Sequence, residues 1–193
     1  METLLSIVLG IGLAAAAGFR VFVPLFALSL AGFYEVLPMN EQWQWLNSPV
    51  ALTVLAAACI IEALAYLIPW FDNLLDTLAI PLAGLAGTAI MASTAMDLPP
   101  VFTWALAIIG GGGAAATIKG INASARATST VTTGGIANPI ISIGETISAI
   151  VLAILSIFAP FLALAALCFL AFILYKTWQK IQARRTQTLT ETL

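Results

Sequence analysis

Apolar segments of membrane-spanning length, separated by short polar connections, dominate this chain. Leu4 to Gly32, Val50 to Ile68, Thr77 to Ala95, Pro100 to Ile118 and Ile140 to Tyr175 carry almost no charge. A segment of about 20 apolar residues crosses the roughly 30 Å hydrocarbon core of a bilayer as a helix. Only helices and closed barrels satisfy their backbone there, and runs this long and unalternating read as helices. With 61% hydrophobic and 8% charged residues, the chain lies far from the roughly 25% charged residues of soluble domains. The expectation is an all-α, polytopic transmembrane helix bundle forming a single domain over residues 1–193, with a short polar cytoplasmic tail over 176–193.

Leu4 to Gly32 is longer than one span needs, so it is expected to be tilted, kinked at Gly18 or Pro24, or broken there. Turn and cap chemistry in Pro69-Trp-Phe-Asp72 through Asp76, and in Asp97-Leu-Pro-Pro100, separates the next spans. Asp72 and Asp76 read as first-turn or capping carboxylates. As one helix, Ile140 to Tyr175 would reach roughly 54 Å, so two spans turning near Ser156 to Pro160 fit better. About six spans result. Lys119, Arg126, Lys176, Lys180, Arg184 and Arg185 then share one side, as the excess of cations in cytoplasmic loops requires. Both termini are expected in the cytoplasm of a bacterial inner membrane, with Glu41, Trp43 and Trp45 at the outer interface and Trp70 and Trp178 at the inner one. Ala14-Ala-Ala16 could mimic a signal-peptidase site, but Met1-Glu-Thr3 lacks a cation and the apolar run continues to Gly32, so an uncleaved start is expected.

Two stretches, Pro69-x6-Asp76 and Pro139-x5-Glu145, echo one another, as do Gly12 through Arg20 and Gly113 through Lys119. A weak 3+3 inverted repeat is one reading of these echoes. Chance matching of Ala- and Gly-rich runs is the other.

Three isolated charges, Arg20, Glu62 and Glu145, interrupt the apolar runs. A guanidinium keeps its charge, and at a bilayer centre it costs about 2.5–3.5 kcal/mol even on insertion scales. Arg20 therefore needs an internal partner, Glu62 or Glu145. Tyr66 lies one turn beyond Glu62 and can donate to it or line a path beside it. Asn138, Ser142 and Glu145 recur on one helix face, which is expected to point inward. These six residues form the expected substrate or ion pathway.

Lys119 to Pro139 is rich in Ser, Thr and Gly and is read as a cytoplasmic or re-entrant loop. Its Lys119 and Arg126 are candidates to hold an anion or lipid headgroup at the mouth of the pathway. Gly110 to Gly113 lacks P-loop context and is better suited to close helix packing or a flexible break. Cys59 and Cys168 have no metal or disulfide spacing and read as small buried hydrophobes. No histidine occurs, which removes His-based triads and the usual zinc motifs. Neither a catalytic residue nor a metal or other cofactor is expected, and the protein is not expected to be an enzyme.

Gly18-Phe-Arg-Val-Phe-Val-Pro-Leu25, the Ile68-Pro-x-x-Asp72 core, and the block joining Lys119-x6-Arg126 to Asn138-x6-Glu145 resemble an uncharacterised bacterial membrane family, domain of unknown function 4126. The resemblance covers nearly the whole chain. Related sequences tend to carry a histidine a few residues before the lysine and a Ser-Pro-Glu-Pro-like stretch before the asparagine. Here Thr117 and Gly135-Ile-Ala-Asn-Pro139 stand instead. The family implies no activity. The residues themselves point to a small transporter-like or permeation protein. The alternative is a structural or assembly protein whose buried ion pairs only fix helix packing. Expected partners are membrane lipids and a small solute or ion, with homo-oligomerisation open and nucleic acid not expected.

Overall fold

A computed structural model describes residues 2–66 and 69–191, with side chains described except those of 69–77, 174, 178 and 180–191. The expectations for Asp72, Asp76, Trp70, Trp178, Lys180, Arg184 and Arg185 concern side chains outside the described ones. All regular structure among the described residues is helical: α1 Glu2–Phe19, α2 Phe22–Phe33, a 3-10 segment Glu41–Asn47, α3 Pro49–Ala65, α4 Pro69–Thr94, α5 Pro100–Leu106, a π-helical stretch Ala107–Gly112, α6 Gly113–Thr133, α7 Asn138–Phe158 and α8 Pro160–Glu191. The expected helix bundle is therefore the fold.

Within the described residues, Glu2–Phe19, Pro100–Thr133, Asn138–Phe158 and Pro160–Thr177 are long and apolar enough to cross a membrane. The bent pair Glu41–Asn47 with Pro49–Ala65 adds a fifth candidate, and Phe22–Phe33 and Leu78–Thr94 are shorter apolar helices. The outside of the bundle is apolar, with Leu85, Ile109 and Phe158 each more than 65% exposed, while several charged side chains are buried. That inversion of the soluble pattern is what a bilayer demands. The chain is a membrane protein.

Of the tilt, kink or break expected in the first apolar run, the break is observed, between Gly18 and Pro24. The run is broken at Arg20 and Val21, and the chain reverses there. Gly12 of α1 lies against Ser156 of α7, while Arg20 reaches Ser142. α1 therefore runs antiparallel to α7. Leu30 of α2 shares a groove with Ile154 and Arg20 shares its other end with Thr146, so α2 runs with α7 and antiparallel to α1. Beyond α2, Leu37 and Pro38 return beside Leu5 and Leu9, near where α1 begins. α1 and α2 thus form a helical hairpin with Arg20 at its tip.

This reversal also fixes how α8 runs against α1. The start of α1 lies beside Met96 and Asp97, and α8 runs parallel to α1, from Ala163 beside Gly12 toward the end of the bundle that holds Arg20. The start of α1 and the Leu170–Ala171 part of α8 therefore lie toward opposite ends of the bundle.

The Lys119 to Pro139 loop is corrected. α6 is continuous to Thr133, so the fourth span does not end near Ile118, and the turn is confined to Gly134 through Ala137. Gly134 and Gly135 have φ of 63° and 85°, a left-handed pair that closes the helix at little steric cost. The hydroxyls of Ser124, Thr128, Thr130, Thr132 and Thr133 each donate to the carbonyl four residues back, so their polarity is compatible with a helix here. The expected turn before Pro160 is present, at Ala159.

Gly87 and Gly111 let α4 and the π-helical stretch touch backbone to backbone; a Cβ on Gly87 would stand 2.5 Å from the Gly111 carbonyl oxygen. Within the Gly110 to Gly113 run, Gly111 and Gly112 serve close packing. Cys59 is half-buried and Cys168 exposed on α8, so the latter is not the buried residue its apolar surroundings suggested.

Candidate functional site

The break at the hairpin tip leaves unpaired backbone groups inside the bundle, carbonyls at the end of α1 and amides at the start of α2. Each set finds a partner of matching charge. Glu62 Oε1 accepts from the Val21 amide at 2.9 Å and Oε2 from the Phe22 amide at 3.1 Å. Pro24 contributes no amide to the same first turn, so it adds no further demand. On the other side, Lys119 Nζ donates to the Phe19 carbonyl at 3.5 Å and Asn122 Nδ2 to the Gly18 carbonyl at 3.4 Å. An anion at a helix N-terminus and a cation at a C-terminus both offset the helix dipole.

Arg20 is received by α7. Its Nε donates to Thr146 Oγ1 at 3.0 Å, and its Nη2 donates to both the carbonyl and the hydroxyl of Ser142. Glu145 Oε2 stands 4.0 Å from Arg20 Nη2, while Arg126 engages Glu145 with a two-pronged fork, Nε to Oε1 at 3.3 Å and Nη2 to Oε2. Of the two partners expected for Arg20, Glu145 is the nearer carboxylate, and Glu62 is committed to the α2 amides. The ring of Tyr66, at the end of α3, lies beneath three cations: Arg20 Cζ at 4.1 Å, Arg126 Cζ at 4.5 Å and Lys119 Nζ at 5.0 Å from its centre.

Arg20, Glu62, Tyr66, Ser142 and Glu145 are thus brought together, as the sequence suggested. Lys119 and Arg126 belong to the same cluster; they are 1% and 2% exposed, which corrects the expectation that they line an open mouth. Asn138 lies elsewhere, at the first turn of α7, where its Nδ2 donates to Thr130 Oγ1 at 3.1 Å. It sits about two turns from Glu145, some 10 Å along the helix. Two contributors were missed. Thr146 lies four residues beyond Ser142 and Asn122 three beyond Lys119, so helical periodicity was the signal for both.

One polar atom of the cluster is left over. Arg20 Nη1 is buried and has no hydrogen-bond partner among the described residues. Beside Arg20 a groove of about 450 Å³ runs between α2, α3 and α7, lined by Arg20, Glu62 and Thr146 at one end and by apolar residues, including Leu30 and Ile154, along the rest. Among the described residues no three Cys, Asp or Glu side chains form a group able to hold a metal ion.

Comparison with known families matches residues 7–180 to a domain of unknown function, DUF4126. Comparisons with curated proteins and with solved structures gave no match. The match takes in both arms of the hairpin and every residue of the cluster, and the chain belongs to the DUF4126 family.

Proposed function

We propose that this protein is a small transporter or permeation protein whose polar site is the cluster at the hairpin tip, with Arg20 as the group that receives an anionic solute. The observation that carries this reading is the unpartnered Nη1 of a guanidinium that is 1% exposed. A buried charge serving only to hold helices together is expected to have its donors filled, because an orphaned buried donor costs about 1–3 kcal/mol. A chain broken inside the bundle, with both helix ends at charged groups, is also the arrangement by which transporters build polar sites from discontinuous helices. The reading involves no chemical change in the solute. Arg126, Lys119 and Lys176 lie toward one end of the bundle, and by the positive-inside rule that end faces the cytoplasm.

The structural reading has its own support, since Glu62, Lys119 and Asn122 each satisfy an end of the broken helix. Flux separates the two. Chloride, inorganic phosphate and acetate are followed into vesicles containing the purified protein. At least one is expected to enter faster than into empty vesicles, and Thr146→Val, which removes the acceptor of Arg20 Nε, is expected to change that rate while the protein stays folded. Flux equal to that of empty vesicles for all three would sink the transport reading.

A further inference from the structure

The groove beside Arg20 is apolar along its length and polar at one end only. Its volume, about 450 Å³, lies within the roughly 300–1,000 Å³ of small-molecule sites. From Thr146 to Ile154 along α7 it extends roughly 12 Å at 1.5 Å per residue. Its flanks are not sealed: Ile60 and Ile154 are exposed on the outside of α3 and α7, the surface that meets acyl chains in a bilayer. The groove therefore opens sideways, toward the membrane.

The polar end specifies what that ligand must offer. Glu62 has both oxygens occupied by the Val21 and Phe22 amides. The Thr146 hydroxyl accepts from Arg20 Nε and donates to the Ser142 carbonyl at 3.0 Å. What remains unfilled is a donor of a residue that lines the groove, the buried Arg20 Nη1, which a headgroup meets as the guanidinium turns toward the groove; the nearest described carboxylate oxygen in an ion pair with that guanidinium stands 4.0 Å away. An anionic oxygen supplies the missing acceptor in a charge-assisted bond, about twice as strong as one between neutral groups.

We propose that this groove binds a single-chain amphiphile with an anionic oxygen headgroup, carboxylate or phosphate, its tail lying between α2, α3 and α7 and its headgroup on Arg20. Binding itself does not depend on the transport reading; only the subsequent passage of the amphiphile across the bilayer rests on it, and the same site serves both. Arg20 is then the specificity-determining residue, and the lateral opening is the entry.

The test uses the full-length protein in phosphatidylcholine nanodiscs with dodecyl phosphate bearing a photoreactive diazirine near the end of its chain. Labelling is expected to concentrate on Leu30, Cys59 and Ile154. Excess dodecyl phosphate should compete at least roughly tenfold better than dodecanol, the ratio expected when a charge-assisted bond is lost. Ala63→Leu, which fills the groove without touching the charged cluster, should remove the labelling. Arg20→Gln should erase the preference over dodecanol, and if that variant fails to fold, the Ala63→Leu result and the competition ratio still decide. Labelling spread evenly over the exposed faces of α3 and α8, or competed equally by dodecanol, identifies ordinary surrounding lipid and overturns the site. Movement of dodecyl phosphate between leaflets is measured in vesicles of the same protein. Competitive labelling without faster movement supports the site and overturns only the passage of the amphiphile across the bilayer. Anion flux without competitive labelling overturns the site and leaves that reading standing.

Discussion

Two seams meet on α1 and the residues around it, and they solve the problem of close helix approach in opposite ways. Between α4 and the π-helical stretch, Gly87 and Gly111 remove side chains so that backbones touch. At the hairpin tip, by contrast, long charged side chains fill the space, and the polar ends of α1 and α2 are satisfied by Glu62, Lys119 and Asn122. The glycine seam is held by van der Waals contact and tolerates no added atoms. The charged seam is held by electrostatic pairing and tolerates no subtraction. In a solvent as apolar as the side chains, the hydrophobic effect favours neither, so each has to be specific in its own terms.

The largest effect is expected from subtraction at the charged seam. Glu145→Ala removes the carboxylate that forks to Arg126 and lies nearest Arg20, leaving two buried guanidinium groups. Breaking a buried pair in this way costs about 3–5 kcal/mol. Unfolding in mixed micelles should show a loss of that order, and a loss under about 1 kcal/mol would mean that water or another carboxylate already compensates these cations. Addition at the glycine seam comes next. Gly87→Leu forces a side chain against the Gly111 carbonyl, and overpacking of this kind costs about 1–3 kcal/mol. The same unfolding measurement checks it, with the exposed Leu85→Ala as a control expected to change little.

Between these two seams lies the difference between what could and could not be read from the sequence. Glu145 and Ser142 on one face of α7, and the turn before Pro160, were legible from periodicity and length. For Leu4 to Gly32, about 43 Å as one helix, length pointed to a tilt, a kink or a break at Gly18 or Pro24, but not to a hairpin. No Asn, Asp or Gly-Pro pair marks the reversal, because its backbone groups are satisfied by side chains far away in the chain, which no local signal records. α6 was obscured differently. Its Ser and Thr content reads as a loop, yet Lys119, Asn122, Arg126 and Ser129 recur at helical intervals on one face, and all but the half-buried Asn122 are buried. Composition masked periodicity there. The identity of the partners could be narrowed to two carboxylates but not resolved, since pairing depends on which side of the break each helix packs.

Glu62→Gln sharpens the role of the hairpin tip. The amide keeps one carbonyl oxygen for Val21 or Phe22 but loses the second acceptor and the negative charge at the start of α2. Hydrogen bonds to charged groups contribute about 1.5–3 kcal/mol, and one acceptor remains, so a loss of roughly 1–2 kcal/mol is expected. Hydrogen exchange should show the loss first at the amides of Val21 and Phe22. Protection lost instead across all of α2 would show that Glu62 holds the whole arm rather than its first turn.

Thr146→Val is the smallest change and the most discriminating. Valine keeps the shape and removes the oxygen that accepts from Arg20 Nε at 3.0 Å and donates to the Ser142 carbonyl. Hydrogen bonds between helices in membranes average about 0.6 kcal/mol, with a maximum near 1.7. The expected loss lies in that range, far below Glu145→Ala, because Ser142 still engages Nη2 and the Arg126 fork is untouched. Ser142→Ala combined with Thr146→Val tests whether the two acceptors act together: if Arg20 can turn to replace one with the other, the double variant loses more than the sum. Simple additivity would mean that the guanidinium is fixed by the Tyr66 ring and the Glu145 field, with the hydroxyls tuning its position rather than setting it.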